Sequence, residues 1–492
     1  MGSVDVENII YNIKVSSVVP ASVTGEDRVH ELSNIDLLMK LHYLKGLYYF
    51  DRSAVQGITT ADFKLPMFKW LQLYYMAAGR IRKSEADRPF IKCNDSGVRI
   101  IEAQSNMTLD ECLGADDFKV HGWLLPKQVL GPDLSFSPLV LMQVRPHQIC
   151  SVCVHWDCGL YVMTYGNYAQ VIRSKKGSEM AQKLVTRICN SDHATNLSQS
   201  RYAPFTWFKC GGMSVGLSWA HVLGDAFSAS NFINIWGQIM AGKLTPNSLN
   251  RPKAPSETTE SEGPMSTPTE ILSFKKIEAI RDSWIAGNNC MMETISFQVT
   301  STQLNHLQSK LSNQSQTPQV RVFEALCTVI WQCLTKIRGN SESRITITCR
   351  NNHHNREDEI LSNNQILRVV EADSSIMETE PSELAALIVK QLADNSSPIE
   401  DTLLRNEWSS DFVVYGTNLT FVDLEDAKLY GLEFKGCRPV FVNYTIDGVG
   451  KEGVVLVLPG PKTDEGGRTV TAVLPQNEVM ELKYELKSKW GI

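Results

Sequence analysis

Apolar residues recur along this chain in two rhythms, one suited to helices and one to strands, and the two alternate in both halves. Ser33-Asn-Ile-Asp36 has the form of a capping box, and LLMKLHYLKGLYYF after it carries apolar residues at helical spacing. That predicts a helix. A second helix is predicted over 65–83, LPMFKWLQLYYMAAGRIRK, running into Gly79. Alternating runs on either side of Asn94-Asp-Ser-Gly97 predict a hairpin over 90–103. PTEILSFKKIEAIRDSW, VRVFEALCTVIWQCLTKIRG and SELAALIVKQLAD (382–394) read as helices, the second ending at Gly339 in the position of a C-terminal cap. PVFVNYTI, GVVLVLPG and RTVTAVLP are β-branched runs bounded by turns, and EVMELKYELKSKW closes the chain as a helix.

Such mixing places the chain in the α/β class, and 492 residues are enough for two cores. Residues 243–270, KLTPNSLNRPKAPSETTESEGPMSTPTE, are rich in Pro, Ser, Thr and Glu and cannot bury a core. They are read as an exposed crossover between a domain over 1–242 and another over 271–492.

Residues 145–205 break the pattern. SPLVLMQV ends at Val144 as a strand, and TWFKCGGMSVGLSWAH begins at Thr206; joined directly, the two make a plain hairpin turning at Cys210-Gly-Gly212. The 61 residues between them would split one strand in its middle, and loops beyond about 12–15 residues are uncommon in compact domains. They carry cysteines, aromatics, a Lys-Lys-Gly turn and a short amphipathic piece near Met180–Val185. The segment is read as foreign to the fold, retained intron sequence being one source. An ordered insertion is the alternative.

Net charge is −6 with both signs interspersed, so no basic face points to nucleic acid. No signal peptide is read at the start, and no window approaches the roughly 18–20 apolar residues that span a bilayer. Twelve cysteines are too sparse for a disulfide scaffold. Cys150, Cys153, Cys158 and Cys189 crowd together near His147 and His155, but paired zinc knuckles are absent and no metal is expected.

Candidate chemistry sits in GLSWAHVLGDAF, where His221 precedes Asp225 by four residues between a strand-like and a helix-like run. An imidazole with a pKa near about 6.5 takes a proton from a hydroxyl or amine at neutral pH. One histidine suffices when the electrophile is an activated thioester. Asp225 could orient the ring or serve structure. Taken alone, H-x-x-x-D is a weak signal.

Several ordered stretches together are more specific: VVPAS (18–22), LSNIDLLM (32–39), AAGRIR (77–82), CNDSGVRIIEA (93–103), SWAHVLGD (218–225), VFEALCTVIW (322–331) and VVLVLP (454–459). In these the chain resembles the plant BAHD family of acyl-CoA-dependent acyltransferases, over nearly all its length except 145–205. The resemblance implies two chloramphenicol-acetyltransferase-like domains meeting at a channel. His221 would be the general base there, and Asp225 would turn away from the channel to pair with an arginine of the second domain, best matched by Arg350. It implies no bound cofactor, with acyl-CoA as a substrate.

The family's second signature, Asp-Phe-Gly-Trp-Gly followed by Lys-Pro, is poorly kept. Glu433, Phe434, Lys435, Gly436, Cys437, Arg438 and Pro439 stand in its place, and only Phe434 and Pro439 match, with Arg438 keeping charge. A side chain where the family has glycine is expected to oppose a turn of positive φ. LSNNQI (361–366) replaces a Phe-Gly-Asn region, Asn364 being its nearest match. An intact histidine motif beside a degraded second signature is similar to the eceriferum, or Glossy2-like, branch. QVLGPDLSFSPLV, SSDFVVYGTNLTFV and VNYTIDGVGKEGVVLVLP carry that likeness. The branch implies promotion of very-long-chain fatty acid elongation for cuticular wax. It would act with a condensing enzyme on the cytoplasmic side of the endoplasmic reticulum, peripherally and as a monomer itself, the cytosol being the alternative location. The alternative is an active acyltransferase transferring to an alcohol or amine.

Overall fold

A computed structural model describes residues 10–25, 27–85, 87–115, 118–126, 137–143, 160–165, 168–173, 205–244, 275–276, 291–312, 319–339, 343–350, 361–393 and 412–492. Two large mixed sheets organise them. The first runs Ile10–Val18, Val98–Ser105, Phe205–Trp207, Met213–Ala220, Tyr43–Phe50, Phe441–Asp447, with Val140–Gln143 also seated between the second and fourth of these. Its last strand therefore comes from the C-terminal half. The second runs Met292–Val299, Arg468–Pro475, Val454–Pro459, Leu419–Asp423, Arg344–Arg350, Gln365–Glu371.

Every residue of Tyr43–Phe50 is buried, because the strand is paired on both sides and covered on both faces. Such a strand needs no alternation, and this corrects the helix expected over that run. The helix is only Asn34–Met39, capped by Ser33 and Asp36. The second expected helix is Thr60–Leu73, capped by Thr59 and Asp62, and the residues after Gly79 form the strand Arg80–Lys83. The expected hairpin over 90–103 is a corner instead. Pro89–Lys92 pairs with Arg80–Lys83 and Val29–Glu31, whereas Val98–Ser105 belongs to the first large sheet. Asp95 at the corner, with φ of +50°, is held by Thr24, whose N–H and hydroxyl both donate to its carboxylate.

Helix Val322–Ile337 ends before Gly339, whose φ is +72°, and buries thirteen of its sixteen residues between the second sheet and helices Ser301–Leu311, Pro381–Ala393 and Gln476–Glu485. Pro381–Ala393 and Gln476–Glu485 are helices as expected. Lys275–Lys276 forms a short strand with Phe412–Val413 where a helix was expected. The rest of that stretch, the crossover beyond Leu244 and the cysteine cluster lie outside the described residues.

Val140–Gln143 and Phe205–Trp207 lie end to end in one row. On the antiparallel neighbour, Val140 and Met142 face Trp219 and Leu217, and Phe205 and Trp207 face Val215 and Met213. One position, Gly216, is left for Gln143. On the parallel neighbour, Arg99 and Ile101 face Leu141 and Gln143, while Ala103 and Gln104 face Thr206 and Trp207. Both registers run on without a slip when 61 residues of sequence are skipped. The two pieces are one strand interrupted.

Candidate functional site

Where Met213–Ala220 ends, a single 3-10 turn, His221–Leu223, leads into helix Ala226–Met240. Gly224 makes this possible. Its φ is +147°, and a Cβ there would meet the Ser228 Cβ and the Ser362 oxygen, each at 2.8 Å. Asp225 then caps the helix, one carboxylate oxygen accepting from the Ser228 N–H at 2.9 Å. The four-residue spacing is thus a strand end, one turn and a cap.

The segment Leu361–Gln365 of the C-terminal half is clamped onto this motif. The Asn364 N–H donates to the other Asp225 oxygen at 3.0 Å, and the Asp225 N–H donates to the Ser362 carbonyl at 3.1 Å. The Asn363 side-chain amide donates to the His221 carbonyl at 2.8 Å and to the Asp36 carboxylate at 2.9 Å. Burial pushes the Asp225 carboxyl up, and the N–H groups of Ser228, Asn364 and Phe227 pull it back, with Arg350 the weakest influence. Arg350 stands over the Phe227 ring, 5.3 Å from its centroid. Asp225 and Arg350 attract at longer range, and the hydrogen bonds to this carboxylate come from backbone amides.

His221 is 1% exposed. Its Nε2 lies 2.9 Å from the Tyr415 hydroxyl, and the Gln365 amide nitrogen lies 3.1 Å from that same oxygen. One order has Gln365 donating to Tyr415 and Tyr415 donating to His221 Nε2. The reverse order, with Tyr415 donating to the Gln365 carbonyl oxygen at 3.3 Å, also fits, and His221 Nδ1 has no partner among the described residues in either. The ring of His42 meets Tyr415 edge-on at 4.8 Å, and His42 Nε2 accepts from the Val414 N–H. Burial lowers His221 to about 4, and burial together with His221 lowers His42 to about 3. Burial raises Tyr415. Both rings are neutral at pH 7. The cavity here, lined by Leu44, His221, Phe227, Gln365, Tyr415 and Ile446, holds about 10 Å³, room for one water.

The loop in the place of the second signature is closed by a bridge between Phe434 and Cys437, which exchange both backbone hydrogen bonds. Its two central residues, Lys435 and Gly436, have φ of +52° and +77°. Lys435 thus takes up the positive φ expected to oppose a side chain, at a cost of roughly 1 kcal/mol. Phe434 is fully packed among Phe50, Phe63 and Trp236, with ring centroids 4.6, 5.2 and 5.5 Å away. Glu433 is held by Lys243 and Arg438, each at 2.9 Å, and Pro439 leads into Phe441–Asp447. None of Glu433, Phe434, Gly436, Arg438 or Pro439 lines the His221 cavity.

Sequence reasoning singled out His221, Asp225 and Asn364, which the fold brings together. It missed His42, Asn363, Gln365 and Tyr415. The signal for His42 is an imidazole in a largely apolar run, between Lys40 and Lys45. Among the described residues no His, Cys, Asp or Glu group is placed to hold a metal ion, and no helix is long and apolar enough to cross a membrane.

A family model described as the transferase family matches residues 10–154 and 176–488, so the internal break in the likeness is 155–175, narrower than the 145–205 expected. The chain belongs to the BAHD transferase family. It is 33% identical to Protein ECERIFERUM 2 of Arabidopsis thaliana, over 97% of this chain and 98% of that one. It is 30% identical to Protein ECERIFERUM 26-like of the same plant, over 97% and 95%. Hydroxycinnamoyltransferase 1 of rice, Oryza sativa subsp. japonica, is 22% identical over 91% and 92%. In fold the chain is similar to vinorine synthase, with a TM-score of 0.62 over 97% and 98% at 15% identity. Fusarium graminearum TRI101 complexed with coenzyme A and T-2 mycotoxin gives the same score over 94% and 98% at 13% identity. The two sheets with their helices are therefore the two chloramphenicol-acetyltransferase-like domains of this fold.

Proposed function

We propose that this BAHD-family protein promotes the elongation of very-long-chain fatty acids for cuticular wax. It does so in company with a condensing enzyme, without turning over acyl-CoA itself. The observation that carries this reading is the state of His221: buried, neutral, its Nε2 bonded within the chain, beside space for one water. A general base needs its substrate's proton within hydrogen-bond reach. The full-length likeness to the eceriferum proteins supports the wax connection. Attachment to the cytoplasmic face of the endoplasmic reticulum would then come through the partner, and acyl-CoA would be the partner's substrate.

A second reading, acyl transfer to an alcohol or amine with His221 as base, has one observation in its favour. The Tyr415 hydroxyl sits on His221 as an acceptor hydroxyl would, at 2.9 Å. The test is fatty-acid profiling in yeast expressing a very-long-chain condensing enzyme with and without this protein. Longer acyl chains only in the doubly expressing strain are expected. Unchanged chain lengths, with new esters or amides instead, would overturn the proposal.

A further inference from the structure

The buried polar cluster around His221 has a tyrosine at its centre that no catalytic role requires. We infer that Tyr415 is a built-in lock on the site: its hydroxyl takes the place of an acceptor hydroxyl on His221 and keeps that base from any substrate. The inference rests on the reading of a chain that does not turn over acyl-CoA, and it names the group responsible.

Three observations show that the tyrosine is fixed rather than swung in. Its backbone is tied on both sides. The Val414 N–H donates to His42 Nε2 at 3.1 Å, and the Tyr415 carbonyl accepts from the Gly450 N–H at 2.8 Å. Gly416 next in line has φ of +82°, and a Cβ on it would meet the Gly450 oxygen at 2.3 Å, so the two backbones touch. The side chain is then braced by Gln365 at its oxygen and by His42 against its ring. Gln365 itself lies against Met39 Sδ at 3.5 Å, which carries the brace back to the N-terminal half.

The hydrogen bond is a neutral one and stays so. Burial disfavours both tyrosinate and imidazolium, so the proton remains on the tyrosine. Tyr415 therefore blocks His221 without itself becoming a nucleophile. Filling the acceptor position with a residue of the chain leaves the retained motif intact and silent.

The test reads the chemical reactivity of His221 in the full chain with diethyl pyrocarbonate, which carbethoxylates accessible neutral imidazole nitrogens, mapped by peptide mass. His221 is expected to react slowly in the wild type and about ten-fold faster in Tyr415→Ala. Tyr415→Phe keeps the ring and loses only the hydroxyl. It is expected to react faster than wild type while His42, still held by Val414, stays protected. The phenylalanine variant decides the matter should the alanine variant fail to fold. Equal reactivity of His221 in wild type and Tyr415→Phe would overturn the lock. A chain with this pattern that lengthens no fatty acid in yeast sinks the accessory reading and leaves the lock standing. His221 reactive in the wild type does the reverse.

Discussion

The His221–Asp225 motif and the Glu433–Pro439 loop make opposite impressions in sequence, and the structure reverses the weight of each. The first keeps its family spelling yet is closed: His221 is bonded to Tyr415, and Asp225 caps a helix and joins two domains. The second has lost most of its spelling yet is firmly built, with Phe434 in the aromatic core and Glu433 between two cations. Spelling reports ancestry, and contacts report what a residue now does. Function resides in the site rather than in the scaffold.

The largest effects should come from the residues that hold each region. Phe434→Ala empties an aromatic site and should cost about 3–5 kcal/mol in urea unfolding. A loss below ~1 kcal/mol would mean the loop is not part of the core. Asp225→Ala strips two backbone amides of a charged partner and removes a cap, and should cost about 3 kcal/mol by the same measurement.

Acid sensitivity sharpens the comparison. His42 is buried neutral with its pKa lowered to about 3, so unfolding takes up a proton when the pH lies below the unfolded value near 6.5. Its contribution to stability is therefore whole above pH ~6.5 and is lost as pH falls toward 3. His42→Gln should flatten the dependence of unfolding free energy on pH by about 1.4 kcal/mol per unit near pH 5. An unchanged slope would show that His42 is charged in the fold. Asp423, raised to about 6 by burial, acts with the opposite sign and is common to both proteins.

Lys435→Gly should be nearly neutral, the relief of a positive φ offsetting the loss of the Lys435 bond to the Gln56 carbonyl. Smallest of all is the expected loss on removing 145–205. Because both flanking strand registers run on across the gap, the shortened chain should fold with an undiminished melting temperature. Failure to fold would make the segment an ordered part of the domain. Sequencing the transcript across Val144 and Thr206 tests whether it reaches the mature message.

The terminal strands were legible as β-branched runs between turns, His221 and Asp225 as a spacing that the family resemblance made specific, and Asn364 through that resemblance alone. The interrupted strand was legible as a local pattern too, since its two halves complete one hairpin. Tyr415 and Asn363 were not, because they meet His221 from 194 and 142 residues away along the chain, and Gln365 was not because it acts through Tyr415. Tyr43–Phe50 was misread because a strand buried on both faces has no alternation to separate it from a buried helix. The corner at Asp95 was misread because a turn does not say which sheet receives the strand after it.

The most direct test of the central claim is the yeast chain-length assay repeated with His221→Ala, normalised to folded protein. The account predicts that this variant costs only about 1–2 kcal/mol of stability, from a small cavity and a Tyr415 hydroxyl left with Gln365 alone, and lengthens fatty acids as the wild type does. A His221→Ala protein that stays folded but no longer lengthens them would contradict it and make His221 a working base.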